Sequence, residues 1–173
     1  MRLFIGTSID DAIAARICKM FGEIHADTNW RFAPIAQWHI TTLFIGELDP
    51  RELPMIEGAV ERIAKRTPAI HVKNGRIEAM PAIDPHMLWV KFDPDPQLTN
   101  LHLSLAEATR TRPSKHLPLT PHITLARSRR HPSPVRSGIF LDEVELDHLS
   151  IFRSELRRSG AVHHLLKRVP LSE

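Results

Sequence analysis

Two copies of the tripeptide His-Ile-Thr are the residues whose types and spacing most directly suggest chemistry in this sequence. They occupy positions 39–41 and 122–124, and the offset of 83 positions (122 − 39) is close to half of the 173-residue chain. An offset of this size indicates an internal duplication. Histidine exchanges protons near neutral pH and threonine donates hydrogen bonds, so a pocket that holds both copies could catalyse phosphate chemistry.

Cleavage of a cyclic phosphodiester requires a base that activates water and an acid that protonates the departing ribose oxygen. His39 and His122 can take these two roles, and the residues alone do not say which is the acid. Thr41 and Thr124 can hydrogen-bond the non-bridging phosphate oxygens. Arg127 lies five residues after His122, so strand alternation does not place it on the same face, but it can reach the rim of the pocket.

The pattern of apolar residues predicts the elements that must position these groups. After an opening strand, a helix capped by Ser8 or Asp10 is predicted over 10–24, a second over 50–66, and a third after Asp93-Pro94-Asp95-Pro96. Further strands are predicted over 39–46, 69–79, 86–92, 121–127, 139–153 and 161–169, with a turn at Ser159-Gly160.

Each His-Ile-Thr copy begins one of these strands, so its histidine and threonine should share one face of a sheet. Ile40 and Ile123 should then point the opposite way, into the core. The order of helices and strands favours an α+β fold with mainly antiparallel pairing. The length favours one domain over 1–173, or two small lobes that share a core.

Composition excludes several classes of protein. The chain is 42% hydrophobic and 25% charged, and it has no run of eighteen apolar residues, so no membrane span is expected. No G-x-G-x-x-G or G-x-x-x-x-G-K-[ST] motif is present. The N-terminus is interpreted as a strand and not an export signal, so a cytoplasmic location is expected. The single cysteine, Cys18, is expected to be a buried, inert thiol.

A metal site is the main alternative, because eleven histidines are many for this length. There is no H-E-x-x-H motif and no cysteine pair, and His163 and His164 should point to opposite faces of a strand. No metal and no cofactor are therefore predicted. His102 is expected at the boundary of its helix, and the remaining histidines are expected at the surface: His25, His71, His86, His116, His131 and His148.

The arginines are unevenly distributed, with four of them within ten positions: Arg127, Arg129, Arg130 and Arg136. This cluster suits either an anionic partner or a solvated basic loop, and charge alone does not separate the two.

Several segments together resemble the RNA 2′,3′-cyclic phosphodiesterases, long called 2′-5′ RNA ligases, of the two-histidine phosphoesterase superfamily. The resemblance covers nearly the whole chain and rests on four segments: Met1-Arg2-Leu3-Phe4-Ile5, HITTLFIG at 39–46, PHITLAR at 121–127, and Ile151-Phe152-Arg153-Ser154-Glu155-Leu156. It implies a fold of two pseudo-symmetric lobes around a central cleft. It also implies metal-independent hydrolysis of a 2′,3′-cyclic phosphate at an RNA end to a 2′-phosphate.

The same resemblance implies roles for individual residues. His39 would be the proton donor, His122 the proton acceptor, and Thr41, Thr124 and Arg127 the phosphate contacts. The chain departs from the family pattern just before His39, where it has Ile35-Ala36-Gln37-Trp38 in place of a Pro-Glu-Asn-Leu-like lead. Trp38 or Phe44 could stack on a base, although core packing is the expected use of both.

Two other functions are compatible with the same residues. One is an RNA-binding module that keeps the cleft without turnover, and the other is 2′-5′ RNA ligation by the reverse chemistry. The expected partner is RNA or an oligonucleotide with a cyclic phosphate end, and the chain is expected to act as a monomer.

Overall fold

The structure is a computed structural model that describes residues 1–22, 30–128, 140–157 and 160–172. The helices are α1 Asp11–Gly22, α2 Leu53–Ala64 and α3 Pro96–Ala108. The strands are β1 Arg2–Ser8, β2 Arg31–Phe32, β3 His39–Glu47, β4 Ile70–Met80, β5 Met87–Lys91, β6 His122–Arg127, β7 Phe140–Leu146, β8 His148–Arg157 and β9 Gly160–Pro170. The α+β class with antiparallel pairing is confirmed.

The strands form one sheet in the order β7-β4-β5-β6-β3-β1-β8-β9, with the short β2 paired to β6. Two sets of four strands meet in the middle, where β3 and β6 share the single pair Ile40 and Ile123. In each set the strand that carries a His-Ile-Thr copy pairs with an earlier strand, and one α-helix lies between the two along the chain. β3 pairs with β1 and follows α1, and β6 pairs with β5 and follows α3. This equivalence agrees with the duplication predicted from the sequence, and the division into two lobes remains a prediction.

The core contains the apolar residues of one sheet face and the apolar stripes of the three helices. Ile40 and Ile123 have no exposed area, as predicted, and they belong to one continuous apolar cluster. The helices contribute residues spaced three or four apart: Ala14 and Ile17, Ile56 and Val60, and Leu98, Leu101 and Leu105. Burial of each large aliphatic side chain contributes about 1.5–3 kcal/mol, so this packing holds the sheet.

Helix starts follow the capping residues seen in the sequence. The Asp10 carboxylate accepts a hydrogen bond from the Ile13 amide at 2.7 Å, and Asp95 accepts one from the Leu98 amide at 2.7 Å. Such a cap contributes about 1 kcal/mol to helix stability. The second predicted helix, 50–66, is a short 3-10 turn over Pro50–Glu52 followed by α2, which ends at Ala64.

The predicted strand over 139–153 is wrong, because it is two strands. Asp147 separates β7 from β8. β7 pairs with β4 in one half of the sheet, and β8 pairs with β1 in the other half. The segment has an extended pattern throughout, so the pattern did not reveal the break. The short β2 was not predicted. Residues 23–24 of the first predicted helix and Ser159 of the predicted turn lie outside the described residues.

Two histidines predicted near the surface are buried. His102 is 3% exposed, and its Nδ1 donates to the Thr42 carbonyl at 2.8 Å while Nε2 accepts from the Ser114 amide at 2.9 Å. His148 is 4% exposed, and its Nε2 lies 2.9 Å from the Ser8 hydroxyl oxygen. Both predictions were wrong because these imidazoles have hydrogen-bond partners, which removes the cost of burying them.

The remaining surface expectations divide in a similar way. Cys18 is exposed and not buried, because it follows Ile17 on α1 and lies about 100° further round the helix from that buried residue. Three of the histidines predicted at the surface are exposed, as expected: His71, His86 and His116. His25 and His131 lie outside them. No helix of the described residues is long and apolar enough to cross a bilayer.

Gly6 of β1 is required by the close approach of the strand that carries the first motif. A Cβ added at Gly6 would lie 2.4 Å from the Ile40 carbonyl oxygen, an approach that forces the backbone apart. We expect Gly6→Ala to lower the free energy of unfolding by about 1–3 kcal/mol. Urea unfolding followed by circular dichroism measures this change.

Gly58→Ala is the matched control, because Gly58 lies within α2 and its added Cβ would meet only the end of Arg62 at 3.4 Å. That variant should gain about 0.5–1 kcal/mol. Equal stability changes in the two variants would contradict the close approach at Gly6.

Candidate active site

The junction between β3 and β6 brings the two motifs together on one face of the sheet. The strands run antiparallel with Ile40 opposite Ile123, a register that sets residue 39 opposite residue 124 and residue 41 opposite residue 122. Because the two isoleucines point into the core, both histidines and both threonines of the motifs project from the other face. All four side chains are partly exposed there: His39, Thr41, His122 and Thr124.

Each motif histidine is held by the carbonyl two residues before it. Nδ1 of His39 donates to the Gln37 carbonyl at 2.8 Å, and Nδ1 of His122 donates to the Thr120 carbonyl at 3.1 Å. A carbonyl only accepts, so Nδ1 carries a proton in both rings and a neutral ring presents the lone pair of Nε2. The two Nε2 atoms are therefore the groups that can exchange protons with a ligand.

Burial controls the charge of this pair. Desolvation lowers the pKa of His39, opposed by the hydrogen bond to Gln37 and reinforced by the nearby charge of His122. Desolvation also lowers the pKa of His122, opposed by the hydrogen bond to Thr120. Because a second positive charge is disfavoured beside the first, the pair takes up one proton more readily than two.

Aromatic rings cover both histidines. The Trp89 ring stacks on His122 with centroids 3.8 Å apart and planes 18° apart. Phe4 lies 4.7 Å from the His39 ring centroid, and Phe152 stacks on Phe4 at 4.9 Å. These rings restrict the rotation of the imidazoles and exclude water from one side of each.

Arg127 reaches the same face through an irregularity in β6. In the pairing with β5, Leu88 lies opposite Ala126 while Trp89 lies opposite Thr124, so Leu125 is an extra residue. The extra residue reverses the alternation, which turns Arg127 to the side of His122 and Thr124. The odd spacing of five, which argued against a shared face, is compensated by this bulge.

The first motif has the same irregularity. Ile5 lies opposite Leu43 and Gly6 opposite Thr41, so Thr42 is the extra residue. Phe44, five residues after His39, thereby takes the place that Arg127 has in the second motif. Phe44 is 62% exposed, which contradicts the expectation of core packing, whereas Trp38 is buried in the core as expected.

His163 of β9 is a site neighbour that sequence reasoning missed. Its ring stands edge-on to the His39 ring with centroids 5.0 Å apart, while His164 pairs with Glu155 at 3.2 Å on the opposite face. Burial and the positive charges of His39 and Arg127 lower the pKa of His163 to about 4. Alternation within the His163-His164 pair predicted opposite faces, but only the pairing of β9 with β8 shows that one of them lies at the site.

Three of the four clustered arginines, Arg129, Arg130 and Arg136, lie outside the described residues. Within the described ranges, no group of three or more histidines, cysteines or carboxylates is arranged to hold a metal ion.

A family model described as the 2′-5′ RNA ligase superfamily matches residues 9–158, so the chain belongs to that superfamily. Two similar proteins carry the name RNA 2′,3′-cyclic phosphodiesterase. The one from Thermus thermophilus is 27% identical over 180 residues, covering 99% of this chain and 90% of its own length. The one from Archaeoglobus fulgidus is 24% identical over 176 residues, covering 96% and 98%.

Solved structures have the same fold. A protein of Thermus thermophilus superposes with a TM-score of 0.84 at 25% identity, covering 99% of this chain and 98% of its own. E. coli LigT without ligand superposes with a TM-score of 0.78 at 19% identity and the same coverage. The family resemblance drawn from the motifs is confirmed.

The environment of the three site histidines predicts their titration. The ring protons of His39 and His122 should titrate with midpoints below 6.5, and those of His163 near 4, since burial disfavours each charged form. Histidine-selective NMR between pH 3.5 and 8, with assignments from single substitutions, measures these midpoints. A His163 midpoint above 6.5 would contradict the burial and positive surroundings described for it.

Proposed function

We propose that this chain hydrolyses the 2′,3′-cyclic phosphate at RNA ends to a 2′-phosphate, without a metal ion, using His39 as proton donor and His122 as proton acceptor. The strongest support is a pair of imidazoles on one face of the sheet. In each of them Nδ1 is hydrogen-bonded to a main-chain carbonyl, which leaves Nε2 to exchange protons with a substrate. The names of the two relatives and the family support the substrate class.

The reaction begins with His39 protonated and His122 neutral. Nε2 of His122 takes a proton from water as the water oxygen bonds to phosphorus. The bond from phosphorus to the ribose O3′ breaks, and O3′ takes the proton from Nε2 of His39, while the bond to O2′ remains. The product is a 2′-phosphate and a free 3′ hydroxyl, and proton exchange with solvent restores both histidines.

The electrostatics of the pair disfavour a second proton, whichever histidine holds the first. A site that favours one proton over two provides one acid and one base at the same time. The dependence of kcat on pH should therefore be bell-shaped, with the acidic limb reporting protonation of His122 and the alkaline limb loss of the proton from His39.

Thr41, Thr124 and Arg127 bind the phosphate in this proposal. The two hydroxyls donate to non-bridging oxygens, and the guanidinium offsets the charge that develops on them during attack. Phe44 offers an exposed ring at the equivalent position beside His39, where a nucleobase can stack. A cation on one side and an aromatic ring on the other suit a nucleotide end.

Single substitution of either motif histidine tests the mechanism. We expect His39→Ala and His122→Ala each to lower kcat on a 2′,3′-cyclic mononucleotide by at least about 100-fold, because general acid and base catalysis each contribute about 10² to 10⁴. The far-ultraviolet circular dichroism spectrum should be unchanged. His71→Ala is the control, since His71 is exposed and pairs with Glu143 away from the motifs. Turnover near the wild-type rate in either variant would contradict the two-histidine mechanism.

Arg127→Ala tests the phosphate contact. We expect kcat/KM to fall about 10- to 100-fold, since a hydrogen bond to a charged group is worth about 1.5–3 kcal/mol. The matched control is Arg153→Ala. Arg153 is exposed and lies in β8, opposite Leu3 of β1 and in the half of the sheet that does not contain β6. Steady-state kinetics on the cyclic mononucleotide compares the two variants. Equal values of kcat/KM would contradict the phosphate contact of Arg127.

A further inference from the structure

We propose that Gln37 and His163 are positioning residues for His39, through which β9 fixes the orientation of the proton donor. The inference rests on the proposed function, since it concerns the acid of that reaction. It is carried by one set of contacts that joins the segment before β3 to the last strand of the sheet.

Both the oxygen and the nitrogen of the Gln37 side-chain amide form hydrogen bonds with the backbone of His163. The His163 amide donates to Gln37 Oε1 at 2.6 Å, and Gln37 Nε2 donates to the His163 carbonyl at 3.2 Å, across 126 positions of sequence. The main-chain carbonyl of this same Gln37 accepts the hydrogen bond from Nδ1 of His39. Gln37, whose carbonyl determines which nitrogen of His39 carries the proton, is thus itself hydrogen-bonded to β9.

The His163 side chain completes the arrangement. Its ring stands edge-on to both His39 and Phe4, with centroid distances of 5.0 and 4.9 Å. Its Nδ1 is buried with no hydrogen-bond partner among the described residues. With a pKa of about 4 the ring is neutral near neutral pH, so it packs against the acid without competing for its proton.

The second motif is built differently. Thr120 supplies the carbonyl that holds His122, and a stacked tryptophan, Trp89, covers the ring. The two halves share the carbonyl contact and differ in what restrains the ring, so the loss of the β9 contacts should affect the acid and not the base.

The test compares Gln37→Ala and His163→Ala with His164→Ala, a neighbouring histidine on the opposite face of β9 that pairs with Glu155. We expect kcat on a 2′,3′-cyclic mononucleotide to fall between about 10- and 100-fold in the first two variants, because slight misplacement of a reacting group has effects of that size. KM should change less than about twofold, since no substrate contact is removed. His164→Ala should match the wild type.

The pH profile separates positioning from general loss of structure. The hydrogen bond that His39 donates to the Gln37 carbonyl raises the pKa of His39, so weakening that bond lowers the pKa. The alkaline limb of kcat in Gln37→Ala should move to lower pH, and the acidic limb should stay in place. A fall in kcat with both limbs unmoved would overturn the positioning role.

A readout independent of turnover is the tautomer of His39. Long-range ¹H–¹⁵N correlation should show the proton on Nδ1 in the wild type at neutral pH and a mixture of tautomers in Gln37→Ala. An unchanged tautomer and unchanged kinetics would overturn the inference alone, whereas a wild-type protein without turnover would overturn the proposed function and leave the tautomer experiment to decide the contacts.

Discussion

The single antiparallel pair between Ile40 and Ile123 is the constraint on which the rest of the site depends. Both side chains are fully buried, so the apolar core fixes which face of each motif strand points inward. A shift of one residue in either strand would put a histidine into the core and an isoleucine on the surface, at a cost of several kcal/mol for the lost apolar burial and the unpaired imidazole. The hydrophobic effect thereby determines the geometry of a polar site that contains no isoleucine.

Burial at this junction also prepares the chemistry. An imidazole in a partly desolvated setting prefers to be neutral, and the hydrogen bonds to the Gln37 and Thr120 carbonyls oppose this by favouring the charged form. The opposing effects are similar in kind on both sides because both motifs repeat the carbonyl contact two residues before the histidine. The halves differ in their flanks, with Arg127 in one and Phe44 in the other at equivalent positions. A duplicated scaffold can in this way serve an asymmetric reaction.

Local pattern was sufficient to predict the strands of both motifs, the inward isoleucines and the shared face of each histidine with its threonine. These follow from the twofold alternation of a strand, which needs no knowledge of its neighbours. The position of Arg127 was not predictable, because the bulge at Leu125 is visible only in the pairing with β5. The break at Asp147 and the placement of His163 beside His39 depend on which strands become neighbours, and no local pattern encodes that. His102 and His148 were misjudged because their hydrogen-bond partners come from distant segments.

The most direct test of the two-histidine mechanism is hydrolysis of an RNA oligomer ending in a 2′,3′-cyclic phosphate, in excess EDTA, with the position of the product phosphate determined. The mechanism predicts full turnover in the chelator and a product that carries only a 2′-phosphate, because His39 protonates the departing O3′. A 3′-phosphate product would contradict the assignment of the leaving oxygen. Turnover that EDTA abolishes, or RNA binding with no turnover, would contradict catalysis by a metal-independent acid and base pair.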